Sequence, residues 1–517
     1  MQASHKVAFN TFVLYARVVI TGGVTLYTTR LVLEALGVED YGIYSLIAGV
    51  VAMLVFLNAA LTVSTQRYLS YYEGKNDPVK QKSIFAGSLM LHILAAMLIV
   101  IGMETAGLFL FDGFLNIPGG RLEDARIAYR MMEAMVFFAI LSVPFTATVN
   151  AHEDMLLLAV VNIVEVVLRL ILVVLLFCLK QDERLVFYSL ANAIVSLAAF
   201  LLYITICKLR YKECTLQIHR YARREEVNEL KSFTGWNLFD SLCNVARNQG
   251  ISVVLNIFCG VVVNAAYAIA GQLGAYFSFF SSSLLQTMNP QIMKSEGNNN
   301  RKRMLRLSMT TSKLAFFLFA VIAIPSIFEM KGLLGWWLKE IPSQAEIFCI
   351  LVLICTLVNL LTIGLQSAIQ ATGRIKVYQA TVSSLLLMVL PVAVVLLGLG
   401  FPSYSVLIGS ILIESVACCL RLYFLKRIAG LSLREYAIRV FGKEFFPLLI
   451  LVSVCLLTTV SISWQWRFVI TFFLSGVFFL PGVYFTGLCP DEKAVVKELV
   501  GKVVLKLKNI ENKLYSL

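Results

Sequence analysis

The residues of this chain with most chemistry to explain are the few charges that stand inside long apolar runs. Arg17 and Arg30 lie in NTFVLYARVVITGGVTLYTTRLVLEAL, residues 10–36. Glu165 precedes Arg169 by four residues in VNIVEVVLRL, and Glu414 stands in SVLIGSILIESVACCL. In GWNLFDSLCNVARNQG, Asn237, Asp240, Asn244, Arg247 and Asn248 recur at intervals of three and four and so share one helix face. An arginine at the centre of a bilayer costs at least about 2.5–3.5 kcal/mol, so each needs a partner or a purpose. The purpose that suits arginine is anion binding, because its planar fork stays charged and grips phosphate oxygens in pairs. No metal or catalytic constellation competes with that reading. The eleven cysteines lie mostly in apolar runs, form no CxxC pair and share no spacing with the four histidines, which marks them as small buried residues.

Depth separates these charges. Arg30 falls in the last turn of its run with Glu34 one turn on, so its stem reaches the interface and a carboxylate. Arg130 beside Glu133 has the same reading. Arg17 is near mid-span and cannot escape in that way. At about 100° per residue, Arg17 and Arg30 point roughly 140° apart on an undistorted helix, so they do not aim at one ligand. Arg67, with Gln66, ends the second run, where it would meet a headgroup arriving from the cytoplasmic leaflet. Arg169 is either neutralised by Glu165 or adds a cation to the site. Glu414 has no partner on its own run before Arg421; it is expected to pair with a cavity arginine in the empty state, to exchange a proton or sodium ion, or to stay neutral. Gln272, Tyr276, Ser283, Gln286 and Asn289 line one side of a later run, suiting either sugars or close helix packing.

The elements that hold these residues are membrane helices. With 59% hydrophobic and 15% charged residues and a mean hydropathy of +0.81, the chain is an all-α integral membrane protein. A crossing needs about 20 apolar residues, and such runs recur to give 14 spans, starting near residues 8, 41, 83, 127, 155, 185, 232, 264, 308, 345, 376, 403, 444 and 466. MQASHK leads directly into the first run with no cleavage-site pattern, so that helix is expected to be kept. With the N-terminus in the cytoplasm, 31 of the 44 Lys and Arg fall in inner segments and seven in outer loops, so both termini are expected there. That topology, with anionic lipid, accounts for the net charge of +13 without nucleic acid. Residues 431–442 and the basic amphipathic tail 489–517 are expected to lie along the inner membrane surface.

The chain also repeats itself. LGVEDYGIYSLIAG overlies CGVVVNAAYAIAGQ at a shift of 223 residues, and the alignment runs without a gap to EGKN over EGNN. Nine positions coincide among the 41 columns from 37 to 77, among them Gly37/Gly260, Tyr44/Tyr267, Glu73/Glu296, Gly74/Gly297 and Asn76/Asn299. Six spans separate the copies, so both run in the same direction. The expected organisation is two parallel-repeat six-helix halves around a central cavity. They are residues 1–208 and 232–428, joined by a cytoplasmic linker at 209–231. An interfacial segment with helices 13 and 14 follows at 429–488, and the tail at 489–517. The repeat shift sets Arg17 over Asp240 and Thr21 over Asn244, so spans 1 and 7 are expected to present equivalent polar faces to the cavity.

The opening residues through LGVEDYGIY and TQRYLSYYEGK resemble the N-terminal helix pair of bacterial polysaccharide (O-antigen type) flippases, within the multidrug/oligosaccharidyl-lipid/polysaccharide exporter superfamily. The resemblance is specific over about the first 80 residues. It implies an alternating-access transporter in the bacterial inner membrane that moves a polyprenyl-pyrophosphate-linked oligosaccharide outward, with no cofactor beyond an open choice of proton or sodium coupling through Glu414 or Glu165. Membrane lipid, a glycan polymerase and glycosyltransferases are the candidate partners. Drug and cation antiporters of that superfamily commonly carry an acid in the first helix; this helix has none before Glu34 and carries Arg17, which favours an anionic cargo. The competing readings are a peptidoglycan lipid-precursor flippase and a sodium- or proton-coupled multidrug exporter. A membrane enzyme is disfavoured because the longest outer loops, 112–126 and 329–346, lack an acid/base or histidine constellation.

Overall fold

The computed structural model describes residues 3–52, 55–111, 119–338, 341–462, 464, 466–494 and 497. Most of the expected amphipathic tail and the start of the outer loop 112–126 lie outside them. No strand occurs among the described residues. The helices are α1 (Ala3–Ala52), α2 (Val55–Gly74), α3 (Pro78–Phe109), α4 (Leu122–Ala151), α5 (Met155–Leu176), α6 (Arg184–Arg210) and α7 (Ile218–Tyr221). They continue with α8 (Arg224–Cys259), α9 (Val261–Gly297), α10 (Arg301–Phe328), α11 (Met330–Trp337), α12 (Ala345–Leu360), α13 (Ile363–Thr372), α14 (Lys376–Leu387) and α15 (Val389–Gly398). The last are α16 (Ser405–Ala429), α17 (Leu433–Tyr436), α18 (Gly442–Ser461) and α19 (Arg467–Gly482). Ten stretches of described helix are long and apolar enough to cross a bilayer, or eleven when the bent pair α12 and α13 counts as one span. The other expected spans fall on the more polar helices α2, α8 and α9. The chain is thus an all-α, multi-pass membrane protein.

Local sequence accounts for the breaks. Gly37, at φ 77° and ψ 172°, interrupts α1 where the first two expected spans meet. Asp77 caps α3 by accepting the Lys80 amide at 3.0 Å, with Pro78 in the first turn, where its missing N–H costs nothing. Pro391 has no amide to donate to Leu387, and the helix from Lys376 to Gly398 breaks there into α14 and α15. The 43° bend between α12 and α13 carries no proline. Its freed Leu361 carbonyl accepts the Tyr436 hydroxyl at 2.5 Å, which is how a broken helix stays satisfied away from water.

The described helices form two compact units. One comprises Asn10–Leu242 and Met293–Asn300; the other comprises Met1–Phe9, Cys243–Ile292 and Arg301–Leu517. In the first unit α4 packs on α2, α3 and α6. Small residues permit this: Ala125 and Ala128 are buried against Ile43 and Ile47, and Gly107 leaves room for the Tyr129 ring, whose hydroxyl donates to the Met103 carbonyl at 2.7 Å. In the second unit α10 packs on α12, α13, α18 and α19 around Phe316, Phe317 and Ala320. Gly364 of α13 sits so close to α10 that a Cβ would stand 2.1 Å from the Ser308 carbonyl oxygen. Large apolar side chains remain on the outside, including Leu98, Phe109, Val460 and Phe473, as lipid requires.

The 223-residue shift recurs in the backbone itself. Gly37 and Gly260 have φ of 77° and 84°, and Asn76 and Asn299 have φ of 53° and 57°. Within the first unit the two copies of the EG turn meet: a Cβ on Gly74 would lie 2.3 Å from the Lys294 carbonyl oxygen, and one on Gly297 would lie 2.1 Å from that of Tyr71. Tyr71 and Lys294 are themselves related by the same shift, so the contact is reciprocal. Gly74→Ala or Gly297→Ala is therefore expected to destabilise the protein by about 1–3 kcal/mol through overpacking. Gly271→Ala, with nothing within 4 Å of the added carbon, is the control that should leave thermal unfolding in detergent unchanged.

Candidate functional site, a polar cluster in each unit

In the first unit the cluster is built on α1, α5 and α6. Arg17 is half-buried, and among the described residues no carboxylate or hydrogen-bond acceptor is its partner. Tyr203 of α6 is close enough to interact electrostatically with both Arg17 and Glu165 of α5. Glu165 accepts from Arg169 at 2.7 Å, the i,i+4 pair expected of the sequence. The rings of Tyr44 and Tyr188 pack 4.9 Å apart, and both interact electrostatically with Arg169. Arg169 has a carboxylate and Arg17 has none among the described residues, so these helices keep an excess positive charge.

The second unit builds a cluster of the same charge at the bend between α12 and α13. Glu414 of α16 is 3% exposed and accepts from Asn359 at 2.8 Å and from Arg421, one face along its own helix, at 2.9 Å. Arg421 also donates to Thr362 at 3.2 Å. Arg247 of α8 stands 3.6 Å from the other Glu414 oxygen, with nearly a quarter of its side chain accessible. Arg421 is locked; Arg247 is the looser of the two. Here two arginines act on one glutamate. These positions are not related to Arg17, Glu165 and Arg169 by the repeat shift, so each unit carries its excess charge on different residues.

Asp240 and Asn244 are half-buried on α8, in line with Arg247. Arg67 is not at an open helix end: it is 4% exposed, its guanidinium 4.3, 4.9 and 5.2 Å from the rings of Tyr68, Tyr71 and Phe233. An aromatic cage takes the place of the open interface expected at the helix end. Arg30 and Glu34 are both exposed and form no ion pair among the described residues. Arg130 lies 3.7 Å from Glu104 on α3, while its expected neighbour Glu133 is buried. In the α9 row, Ser283 donates to its own helix at Phe279, Asn289 accepts from Ser367 at 2.7 Å, and Gln272 and Tyr276 are exposed. Asn359, Thr362 and the α12–α13 bend were not legible as parts of a site, because no proline or glycine marks residues 361 and 362.

A third cluster, which the sequence reading missed, lies outside the spans of the first unit, in the turn between α4 and α5. His152 presents Nδ1 to Glu73 at 3.3 Å and Nε2 to Glu213, and its ring stacks on Tyr211 at 4.5 Å. Lys294 bridges Glu73 at 2.9 Å and Glu153 at 2.8 Å. Asp154 takes Tyr211 at 3.0 Å and Arg210 at 2.8 Å, and Asn10 donates to the Glu153 carbonyl at 2.8 Å. Burial alone would lower the His152 pKa, but the hydrogen bonds and charges of Glu213 and Glu73 outweigh it and hold the imidazolium up to about 9. Because that exceeds the unfolded value of roughly 6.5, the stabilisation is fully present below that value and is lost as pH rises through about 9. Thermal stability is expected to fall between pH 7 and 10 in the wild type and to lose that slope in His152→Gln, measured by unfolding in detergent across this range.

Comparison with known proteins agrees with the fold. Residues 7–296 match a family model described as polysaccharide biosynthesis protein. A stretch of 174 residues is 20% identical to the uncharacterized membrane protein EpsK of Bacillus subtilis (strain 168); the chain spans about a third of the length of this curated relative, and the match takes in 33% of the chain itself. Among solved structures, a MATE protein crystallised in complex with MaD3S superposes with a TM-score of 0.72 at 14% identity, covering 83% of this chain and 97% of that one. A MOP superfamily transporter from Pyrococcus furiosus, described as having a binding pocket of reverse polarity, gives a TM-score of 0.69 at 15% identity, with 83% and 98% covered.

Proposed function

We propose, from the premise that this chain belongs to the polysaccharide biosynthesis protein family, that it flips a polyprenyl-pyrophosphate-linked oligosaccharide across the cytoplasmic membrane. The family and the membrane fold stand apart from that proposal: the chain is a multi-pass membrane protein of the polysaccharide biosynthesis protein family, and the fold it shares with solved transporters supports transport rather than enzymatic chemistry. In the finer reading both termini are cytoplasmic, the cargo is bound from the inner leaflet, and the glycan it delivers serves surface polysaccharide or O-antigen assembly. Alternating access exposes the headgroup to one side and then the other while the polyprenyl chain stays in lipid.

The observation that carries this reading is the surplus arginine. Arg17 stands half-buried in an apolar helix with no anionic partner among the described residues, and Arg247 holds its share of Glu414 only at 3.6 Å. A buried cation left with half a partner is costly unless a ligand completes it. A pyrophosphate supplies several acceptor oxygens of the right charge. When the phosphate engages Arg247, Glu414 keeps Arg421 and Asn359, so release of one arginine leaves no orphaned carboxylate. An exporter of cationic drugs is disfavoured on the same ground, because Glu414 is already shared by two cations.

Surface-glycan display in cells that depend on this protein tests the proposal. Arg17→Ala and Arg247→Ala are each expected to lower display roughly tenfold or more, the loss appropriate to a charge-assisted hydrogen bond, at unchanged abundance in the membrane. Arg17→Lys should restore part of it. Normal display in both alanine variants would remove the arginines from the cargo site and the proposal with them.

A further inference from the structure

The segment between α6 and α8 folds back on the membrane-facing side of α3 and leaves a groove of about 930 Å³ there. Its floor is apolar: Met90, Leu94 and Met97 of α3, of which Leu94 and Met97 are half exposed, on a helix long and apolar enough to cross a bilayer. Its other wall is the segment through α7, with Leu216, His219 and Arg220. The Tyr221 ring at the edge draws two cations, Arg220 at 5.7 Å and Lys82 at 5.7 Å. No carboxylate lines the groove, and Glu213, the acid just before it in sequence, is engaged with His152.

A groove that opens on the lipid-facing side of a span is filled by lipid in a bilayer; its lining decides which lipid. We propose that this groove binds an anionic glycerophospholipid, with its phosphate held between Arg220 and Lys82 and an acyl chain laid along Leu94 and Met97. Charge complementarity selects the occupant. Two cations and no carboxylate favour a net negative headgroup over a zwitterionic one, whose ammonium would find no opposite charge in the lining, and a basic pocket at the headgroup level of a span is the usual setting for such recognition. Bound there, the lipid ties the segment that joins the two halves of the sequence to α3. The inference needs only the membrane reading and stands apart from the cargo proposed above.

Native mass spectrometry of the purified full chain tests it, after exchange into detergent supplied with phosphatidylglycerol or phosphatidylethanolamine at equal concentration. The wild type is expected to retain phosphatidylglycerol several-fold over phosphatidylethanolamine. Lys82→Ala with Arg220→Ala should abolish the preference while leaving phosphatidylethanolamine retention unchanged, and Met97→Trp, which fills the floor, should lower retention of both lipids. Each variant is first shown to elute as the wild type in size exclusion. Equal retention of the two lipids by the wild type, or undiminished preference in the doubly substituted protein, overturns the proposal. So does displacement of phosphatidylglycerol by an equal concentration of undecaprenyl phosphate, which would make the groove a cargo site.

Discussion

A charge that leaves water for a protein interior surrounded by lipid must be met by another charge or by several hydrogen bonds, and this requirement organises the whole chain. Glu329 is held by Arg467 through two bonds, at 2.8 and 3.0 Å, with Thr471 as a third donor. Lys313, 1% exposed, reaches Glu492 at 2.6 Å. Arg67 has its aromatic cage, and His152 has two carboxylates. Against that background Arg17 stands apart, and the pairing of Arg247 is loose. Arg17 and Arg247 lie in the two clusters that also gather tyrosines, an asparagine and a broken helix.

Polarity within a span is a weaker signal than charge. Thr28, Ser64, Thr148, Ser189 and Ser410 all donate to the carbonyl four residues back on their own helices. A hydroxyl can always be satisfied in this way, so its presence in a span says little about a ligand. A guanidinium has five donors and no such local outlet. A buried arginine is therefore the stronger signal of a ligand, whereas Ser283 of α9 is satisfied by the Phe279 carbonyl of its own helix.

Much of the fold was visible in the sequence because its causes are local. Apolar runs, Asp77-Pro78, Gly37 and Pro391 each act within a turn or two of chain. The Glu165–Arg169 pair was equally visible, being a contact within one helix. What escaped was pairing at long range. Asn359 meets Glu414 across 55 positions, and Leu361 meets Tyr436 across 75. Arg67 was misplaced for the same reason: its cage is completed by Phe233, from a helix that its own neighbourhood does not announce. Span ends were read from charge, but a terminal arginine is drawn inward when aromatic faces offer more than the interface does.

The reciprocal fit of Gly74 against Lys294 and of Gly297 against Tyr71 bears on how the two halves of this sequence have been free to diverge. Elsewhere each copy has drifted on its own, to the point that the charge clusters rest on unrelated positions. At the EG turns it could not. A side chain gained by either copy would have collided with the backbone of the other, so each glycine is policed by its own duplicate. The loop where the repeat is easiest to read is the place where the two copies have to share one space.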